Sequence, residues 1–137
     1  MRAGDALPPL TVTVEPAALR TMAALLRDPN PIHLDPAASA ALGFGRRLVV
    51  QGPITLGYVQ TMLVAFAGGA DRVLGTRARF VGAVYAGERV VAGGQVTEVR
   101  ADGVECAVWL DVERPAEVVR ALDGTARIAS PDRPVRP

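Results

Sequence analysis

The chain contains a single histidine, His33, which lies in the segment RDPNPIHLDP at positions 27–36. Asp28 and Asp35 lie on either side of it in the sequence. An imidazole and a carboxylate that point the same way can hold one water molecule and move its proton near neutral pH. Asp28 and His33 are therefore candidates for general acid–base catalysis. A lone histidine among prolines can equally cap a helix or satisfy a buried carbonyl group, so the spacing alone leaves both interpretations open.

Two neighbours of this pair are candidate binding residues. Asn30 is predicted first to hydrogen-bond the backbone of its own loop, as asparagine does in turns. Gly52 precedes Pro53 at the start of a long apolar segment. The N–H groups at a helix N-terminus are unpaired and favour negative charge, and a glycine there lets an oxygen atom approach. An acid–base pair beside such an oxyanion-stabilising group is what chemistry through an enolate requires.

The elements that position these groups are predicted from apolar spacing and from the prolines. An amphipathic helix begins at Pro16 and must end before Pro29, because the residue before a proline avoids the helical region. Asp35 is the predicted N-cap of a short helix that ends at Gly43. The segment that begins at Gly52 is apolar around most of its circumference, which indicates a buried helix.

The rest of the chain alternates with a period of two, which predicts strands at 10–14, 73–85, 88–100, 104–113 and 117–129. In the clearest strand Cys106 faces the core and Trp109 faces the other way, and we expect glycines 93, 94 and 124 to mark bulges or bends. These elements predict an α+β domain, with a curved antiparallel sheet wrapped around a long central helix. We expect one domain over residues 1–137, with its core at about 10–129 and a flexible tail at 130–137.

Composition excludes several classes of function. The 15 basic residues are all arginine and nearly balance 14 acidic ones, so lysine-based covalent chemistry is excluded and nucleic-acid binding is not indicated. One cysteine cannot form an internal disulfide, no apolar stretch is long enough for a membrane span, and the start of the chain lacks the apolar core of a signal peptide. We expect a cytoplasmic protein without a metal ion or cofactor.

The segment DPNPIHLDP closely resembles the hydratase motif of the MaoC-like family, which contains (R)-specific enoyl-CoA hydratases and 3-hydroxyacyl dehydratases with a hot-dog fold. The family pattern is roughly G-D-x-N-P-I/L-H-x-D, and positions 28–35 match it. The segments FGRRLVVQGPITLGYV at 44–59 and RFVGAVYAGERV at 79–90 resemble the family's approach to the central helix and its F-x-x-P-V-x-x-G-D strand and turn. The resemblance covers about Leu10 to Ala129.

This resemblance implies that the protein adds water to a trans-2-enoyl thioester, or removes it from a 3-hydroxyacyl thioester. The residues that match Asp28 and His33 would activate the water, and the N–H that matches Gly52 would polarise the thioester carbonyl. The implied partner is an acyl-CoA or an acyl-carrier-protein thioester, with Arg46 and Arg47 as weak candidates for phosphate contacts. We expect a homodimer, with a hot-dog heterodimer also possible.

Five positions depart from the family pattern. Arg27 replaces the usual glycine before the aspartate. Gln51 replaces a common histidine before the helix glycine and, with Gln60, is a candidate for oxyanion or substrate binding. Gly82 and Glu88 replace the proline and aspartate of the later strand and turn. Gln60 stands where a serine often supports the catalytic loop, and it could still donate to the catalytic aspartate.

Two other functions remain open from the sequence. The chain could be a subunit of a hot-dog heterodimer with little activity alone, or a polyketide-type tailoring enzyme of the same fold. A thioesterase is less favoured, because the D-x-N-P-x-H spacing resembles the hydratase branch. We expect a dimer to join its sheets edge to edge or back to back through the strand that carries Trp109.

Overall fold

The described residues, 1–130 of the computed structural model, form three α-helices and one five-stranded antiparallel sheet. The helices are α1 (Pro16–Leu26), α2 (Pro36–Ala41) and α3 (Gly52–Ala67), and two 3-10 turns lie at Pro31–His33 and Ala70–Arg72. The strands are β1 (Leu10–Thr13), β2 (Val73–Phe80), β3 (Arg89–Arg100), β4 (Gly103–Glu113) and β5 (Val118–Ala129). The strand order β1-β3-β4-β5-β2 makes β1 and β2 the edges. The predicted α+β class is confirmed.

Helix α3 is the central element of the core and contacts all five strands. Its buried side chains are Ile54, Thr55, Val59, Met62 and Leu63. The face of β4 that packs in the same core carries Val104, Cys106, Val108, Leu110 and Val112. The predicted buried helix and the predicted inward row of β4 are both confirmed. Burial of these apolar faces is favourable because it removes them from water.

The helix ends follow the predicted signals. Pro16 opens α1, and Asp35 caps α2 by accepting a hydrogen bond from the N–H of Ala37 at 2.9 Å. Gly43 and Gly68 end α2 and α3 with positive φ angles of 87° and 79°, which glycine adopts without steric cost. The cap at Asp35 sets the end of the loop that joins α1 to α2.

The glycines that were expected to mark bulges or bends do not lie at bulges. Gly93, Gly94 and Gly124 pair in regular register, and the irregularities of the sheet lie instead between Val73 and Gly75, Val96 and Glu98, and Leu110 and Asp111. The glycines allow close approach: a Cβ atom on Gly93 would lie 2.5 Å from the indole Nε1 of Trp109. A Cβ atom on Gly124 would meet the carbonyl oxygen of Arg77.

The position of β4 corrects one expectation about assembly. Strand β4 lies between β3 and β5 in the sheet, so its backbone hydrogen bonds are already used. An edge-to-edge dimer through the strand that carries Trp109 is therefore impossible. Only the back-to-back arrangement stays a prediction.

Two further observations concern the end of the described chain and the length of its helices. The predicted tail lies outside the described residues except for Ser130, whose N–H donates to the carbonyl of Asp102 at 2.9 Å. Ser130 is thus part of the folded domain. No helix among residues 1–130 combines the length and the apolar character that a membrane crossing needs.

Candidate active site

The loop between α1 and α2 carries the candidate acid–base pair. Helix α1 ends at Leu26, and the next residue, Arg27, adopts the left-handed region with φ 50° and ψ 41°. This conformation turns the chain, and the N–H of Asp28 then donates back to the carbonyl of Ala23 at 3.0 Å. The turn explains why the family pattern has a glycine here, since glycine adopts positive φ at no cost.

The structure brings Asp28 and His33 together. The Oδ2 atom of Asp28 lies 3.4 Å from the Nε2 atom of His33. His33 is buried, with 8% of its surface exposed, whereas the carboxylate of Asp28 is about one third exposed. The pair therefore has one member held inside the protein and one that solvent can reach.

The contact made by Nδ1, the other ring nitrogen of His33, determines which nitrogen carries the proton. Nδ1 lies 2.6 Å from the carbonyl oxygen of Val49. A carbonyl oxygen only accepts, so Nδ1 must carry the proton and, in the neutral ring, Nε2 must present a lone pair. No sequence pattern indicates this contact, because it is made by a backbone atom sixteen positions away.

This geometry suits the activation of water. In the neutral ring, Nε2 of His33 and the carboxylate of Asp28 are both acceptors, so their approach to 3.4 Å is not itself a hydrogen bond. One water molecule can donate one of its O–H groups to each of them. The shared molecule is then held in place next to a base that can take its proton.

Asn30 has the structural role that was predicted for it first. Its N–H donates to Oδ1 of Asp28 at 3.0 Å, and its side-chain Oδ1 accepts from the N–H of Ile32 at 3.3 Å. The first bond holds the carboxylate so that its other oxygen faces His33. The second caps the 3-10 turn that carries the imidazole.

Gly52 is the first residue of α3, and its N–H has no acceptor among residues 1–130. Pro53, the next residue, has no N–H at all, so Gly52 supplies the first free donor of this helix end. The ring of Phe80 lies over the glycine: a Cβ atom at position 52 would come within 2.9 Å of its Cζ. Phe80 was not identified from the sequence as part of the site, and 56% of its surface is exposed.

Gln51 and Gln60 lie in different surroundings from those expected. Gln51 is almost completely buried, at 2% exposed, and its Nε2 donates to the carbonyl of Leu19 at 2.8 Å. It therefore joins the start of α3 to α1. Gln60 lies on the exposed side of α3, away from the core, and in the described part of the chain it makes no hydrogen bond with Asp28.

A second layer of charged and aromatic groups lies next to Val49. Arg114 donates to both carboxylate oxygens of Glu88, at 2.8 and 3.2 Å, and Arg47 stacks on the ring of Tyr85 at 3.6 Å. Burial alone would raise the pKa of Glu88, but hydrogen bonds from Arg114 and from the N–H of Tyr85, with the nearby positive charges, lower it. The same hydrogen bond raises the pKa of Arg114. This ion pair is therefore charged over the whole neutral range.

Metal ligands are not clustered in the part of the chain that the structure describes. No group of three His, Cys, Asp or Glu side chains within residues 1–130 could hold a metal ion. Within that range, Asp28 and His33 accordingly have no third side chain of these types beside them that would complete a metal site.

Known proteins resemble this chain in sequence and in structure. Residues 3–110 match the profile of the family described as "MaoC like domain". Proteins with curated descriptions give no match to the sequence. The first solved structure to note is the unliganded R-hydratase PhaJ1 from Pseudomonas aeruginosa, with a TM-score of 0.82 and 24% identity over 97% of this chain and 84% of that one.

Two more solved structures are similar over nearly their whole length. The (R)-hydratase from A. caviae involved in PHA biosynthesis has a TM-score of 0.78 and 27% identity, over 96% of this chain and 98% of that one. The ChsH1-ChsH2 complex from Mycobacterium tuberculosis gives 0.79 and 22%, over 94% and 98%. The expected hot-dog fold is confirmed by these likenesses together with the sheet that packs against α3.

Proposed function

This chain belongs to the MaoC-like domain family, and from that membership we propose that it is a hydro-lyase that adds water reversibly to trans-2-enoyl thioesters. The substrate is an enoyl-CoA or an enoyl group on a carrier protein, and the reverse reaction dehydrates a 3-hydroxyacyl thioester. The catalytic groups are Asp28 and His33, with the N–H of Gly52 as the oxyanion-stabilising donor. Asn30 positions Asp28 in the loop.

The reaction follows from the roles of these three groups. His33 Nε2 takes a proton from the water held with Asp28, and the water oxygen forms a bond to C3 of the enoyl group. The C2=C3 π electrons move to C2 and onto the thioester oxygen, which becomes an enolate that the N–H of Gly52 stabilises. A proton then adds to C2, and the imidazolium of His33 can supply it. In balance, one water molecule is consumed and both of its hydrogens remain in the product.

One observation supports this proposal above the others. The Nδ1 atom of His33 is committed to the carbonyl of Val49, so the nitrogen that faces Asp28 is the one that is free to act as a base. A histidine that only satisfied a buried carbonyl would not need a second acceptor beside its other nitrogen. A purely structural role for His33 therefore explains only half of its contacts.

The alternative is a subunit role in a heterodimer of hot-dog domains. One similar structure is a complex of two proteins, ChsH1 and ChsH2. In this chain Asp28 and His33 lie in contact, which favours it as the catalytic subunit of any such pair.

We propose a homodimer that joins its sheets back to back and is located in the cytoplasm. A polyketide-type tailoring activity of the same site would show as turnover of a substrate other than an enoyl thioester.

The test is the loss of enoyl absorbance when crotonyl-CoA and longer enoyl-CoA thioesters are mixed with the protein. Asp28→Asn and His33→Ala should each reduce the rate by about 10²- to 10⁴-fold, the usual contribution of a positioned acid or base. Asp35→Asn is the matched control. It removes the same charge from the same loop, and asparagine keeps the helix cap.

The control variant should keep the wild-type rate. Equal rates for wild type and Asp28→Asn would contradict the proposal. If neither the wild type nor any variant turns over an enoyl thioester, alone or mixed with a second hot-dog subunit, the hydro-lyase proposal is wrong. The tailoring activity then becomes the better explanation of the site.

A further inference from the structure

The backbone hydrogen bonds of Leu48 and Val50 determine the direction in which the carbonyl of Val49 points. The N–H of Val50 donates to Val84 at 2.8 Å, and the carbonyl of Leu48 accepts from Ala86 at 2.9 Å, in an antiparallel bridge that pairs Val49 with Tyr85. Backbone groups alternate in direction along an extended segment, so Val49 must point its own groups the other way. They point to the catalytic loop.

Both backbone groups of Val49 are used there. Its N–H donates to the carbonyl of Ile32 at 3.0 Å, and its carbonyl accepts from Nδ1 of His33 at 2.6 Å. The orientation of the imidazole and the choice of tautomer therefore depend on the placement of segment 48–50. That placement depends in turn on segment 84–86.

An ion pair braces segment 83–88 from the opposite side. The side chain of Glu88 accepts from the N–H of Tyr85 at 2.8 Å and from Arg114 at 2.8 and 3.2 Å. The same guanidinium donates to the carbonyl of Ala83 at 2.9 Å. The Glu88–Arg114 pair is thus hydrogen-bonded to the backbone of this segment at Ala83 and at Tyr85.

Burial distinguishes this pair from the surface ion pairs of the sheet. Only 24% of the Arg114 side chain and 18% of the Glu88 side chain are exposed, against 61% and 45% for Arg89 and Glu113. A bidentate pair that is partly shielded from water holds its geometry, whereas an exposed pair contributes little. Tyr85 is also held by the stacked guanidinium of Arg47.

We propose that Glu88 and Arg114 are positioning residues for catalysis, which hold His33 in its Nδ1–H tautomer through the backbone of Val84–Ala86 and the carbonyl of Val49. The proposal rests on the proposed function only for its kinetic consequence. Neither residue contacts the water or the thioester. Their effect passes through hydrogen bonds that the structure describes, one after another.

The single histidine of the chain makes a direct test possible. In a protein labelled with ¹⁵N at histidine, the ring signals come from His33 alone, and they report which nitrogen carries the proton. We expect the wild type to show the Nδ1–H tautomer. In Arg114→Gln the signals should shift toward a mixture of tautomers, and kcat for crotonyl-CoA should fall about 10- to 100-fold with little change in KM.

Arg120→Gln is the matched control. Arg120 makes a bidentate pair with Asp111, at 2.8 and 3.1 Å, and lies over an aromatic ring, that of Trp109, as Arg114 lies over Tyr85. It is outside the path to Val49, so its His33 spectrum and its kcat should match those of the wild type. Glu88→Gln keeps an acceptor oxygen for Tyr85 and should shift the spectrum less than Arg114→Gln does.

The spectrum decides the proposal even if the protein does not hydrate enoyl thioesters. Unchanged His33 signals in folded Arg114→Gln would overturn it, as would equal shifts in Arg120→Gln. If Arg114→Gln does not fold, the milder Glu88→Gln provides the same comparison. A loss of activity with an unchanged spectrum would mean that Arg114 stabilises the fold without positioning the imidazole.

Discussion

Replacement of Gly52 by alanine separates the chemistry of the helix N-terminus from its stability. Gly52 lies at the first position of α3 and does not have a positive φ angle, so alanine fits the backbone there. The added Cβ would lie 2.9 and 3.0 Å from two ring atoms of Phe80. Because Phe80 is 56% exposed, its ring can move aside by the few tenths of an ångström that are needed.

The expected magnitudes follow from these contacts. Alanine is preferred over glycine within helices by up to about 1 kcal/mol, and less in the first turn. The displacement of the Phe80 ring opposes this gain, so the free energy of unfolding should change by less than about 1 kcal/mol. Alanine keeps the N–H, but we expect its methyl group and the displaced Phe80 ring to obstruct the thioester oxygen. Loss of one oxyanion hydrogen bond costs about 10²- to 10³-fold in kcat.

The assay combines chemical denaturation with the rate of crotonyl-CoA hydration. Gly57→Ala is the matched control, since it lies in the same helix and, apart from the neighbouring backbone of that helix, its added Cβ meets no atom within 4 Å. We expect Gly57→Ala to keep its activity, and Gly52→Ala to lose about 10²-fold while it stays folded. Full activity in Gly52→Ala would refute the requirement for a bare glycine in the approach of the thioester oxygen, as would an equal loss in Gly57→Ala.

Three other predictions follow from single residues. Arg27→Gly should raise the free energy of unfolding by up to about 1 kcal/mol, because it relieves a positive φ angle. Arg20→Gly, inside α1, should lower the free energy of unfolding by about as much. Denaturant titration of both variants checks these opposite signs. The thiol of Cys106 should resist alkylation in the native protein and react after unfolding, because burial, with a smaller effect of Glu105, raises its pKa. Fast native labelling would contradict its place in the core. Glu88→Gln should be less stable than the wild type at pH 7, because the folded-state pKa of Glu88 is lowered. The difference should shrink as the pH falls below the ordinary value of 4.5 and vanish below the lowered folded-state pKa. A difference that grows at low pH would show that this sign is wrong.

The sequence was sufficient for the helices, for most of the strands and for the pairing of Asp28 with His33, but the strand predicted at 73–85 ends at Phe80. Pro16 and Pro36 open α1 and α2, because proline suits the first turn of a helix. The alternation from Val104 to Val112 identified the buried face of β4. These signals are local, so a single chain carries them in full.

The sequence was not sufficient for contacts between distant segments. The carbonyl of Val49 and the ring of Phe80 reach the site only after the fold brings them there. The place of β4 in the middle of the sheet excluded an edge-to-edge dimer, and strand order is not encoded in any one strand. Gln51 and Gln60 were assigned by motif position, and each lies in surroundings that only the packing of α3 determines.

The central claim is that Asp28 and His33 act together on one water molecule, and a double-mutant comparison tests it most directly. The single variants Asp28→Asn and His33→Ala and the double variant are compared in single-turnover hydration of crotonyl-CoA. Residues that act as a unit give losses that do not multiply, so the double variant should be about as slow as the slower single variant. A double variant whose loss equals the product of the two single losses would contradict the account, because the two groups would then act independently.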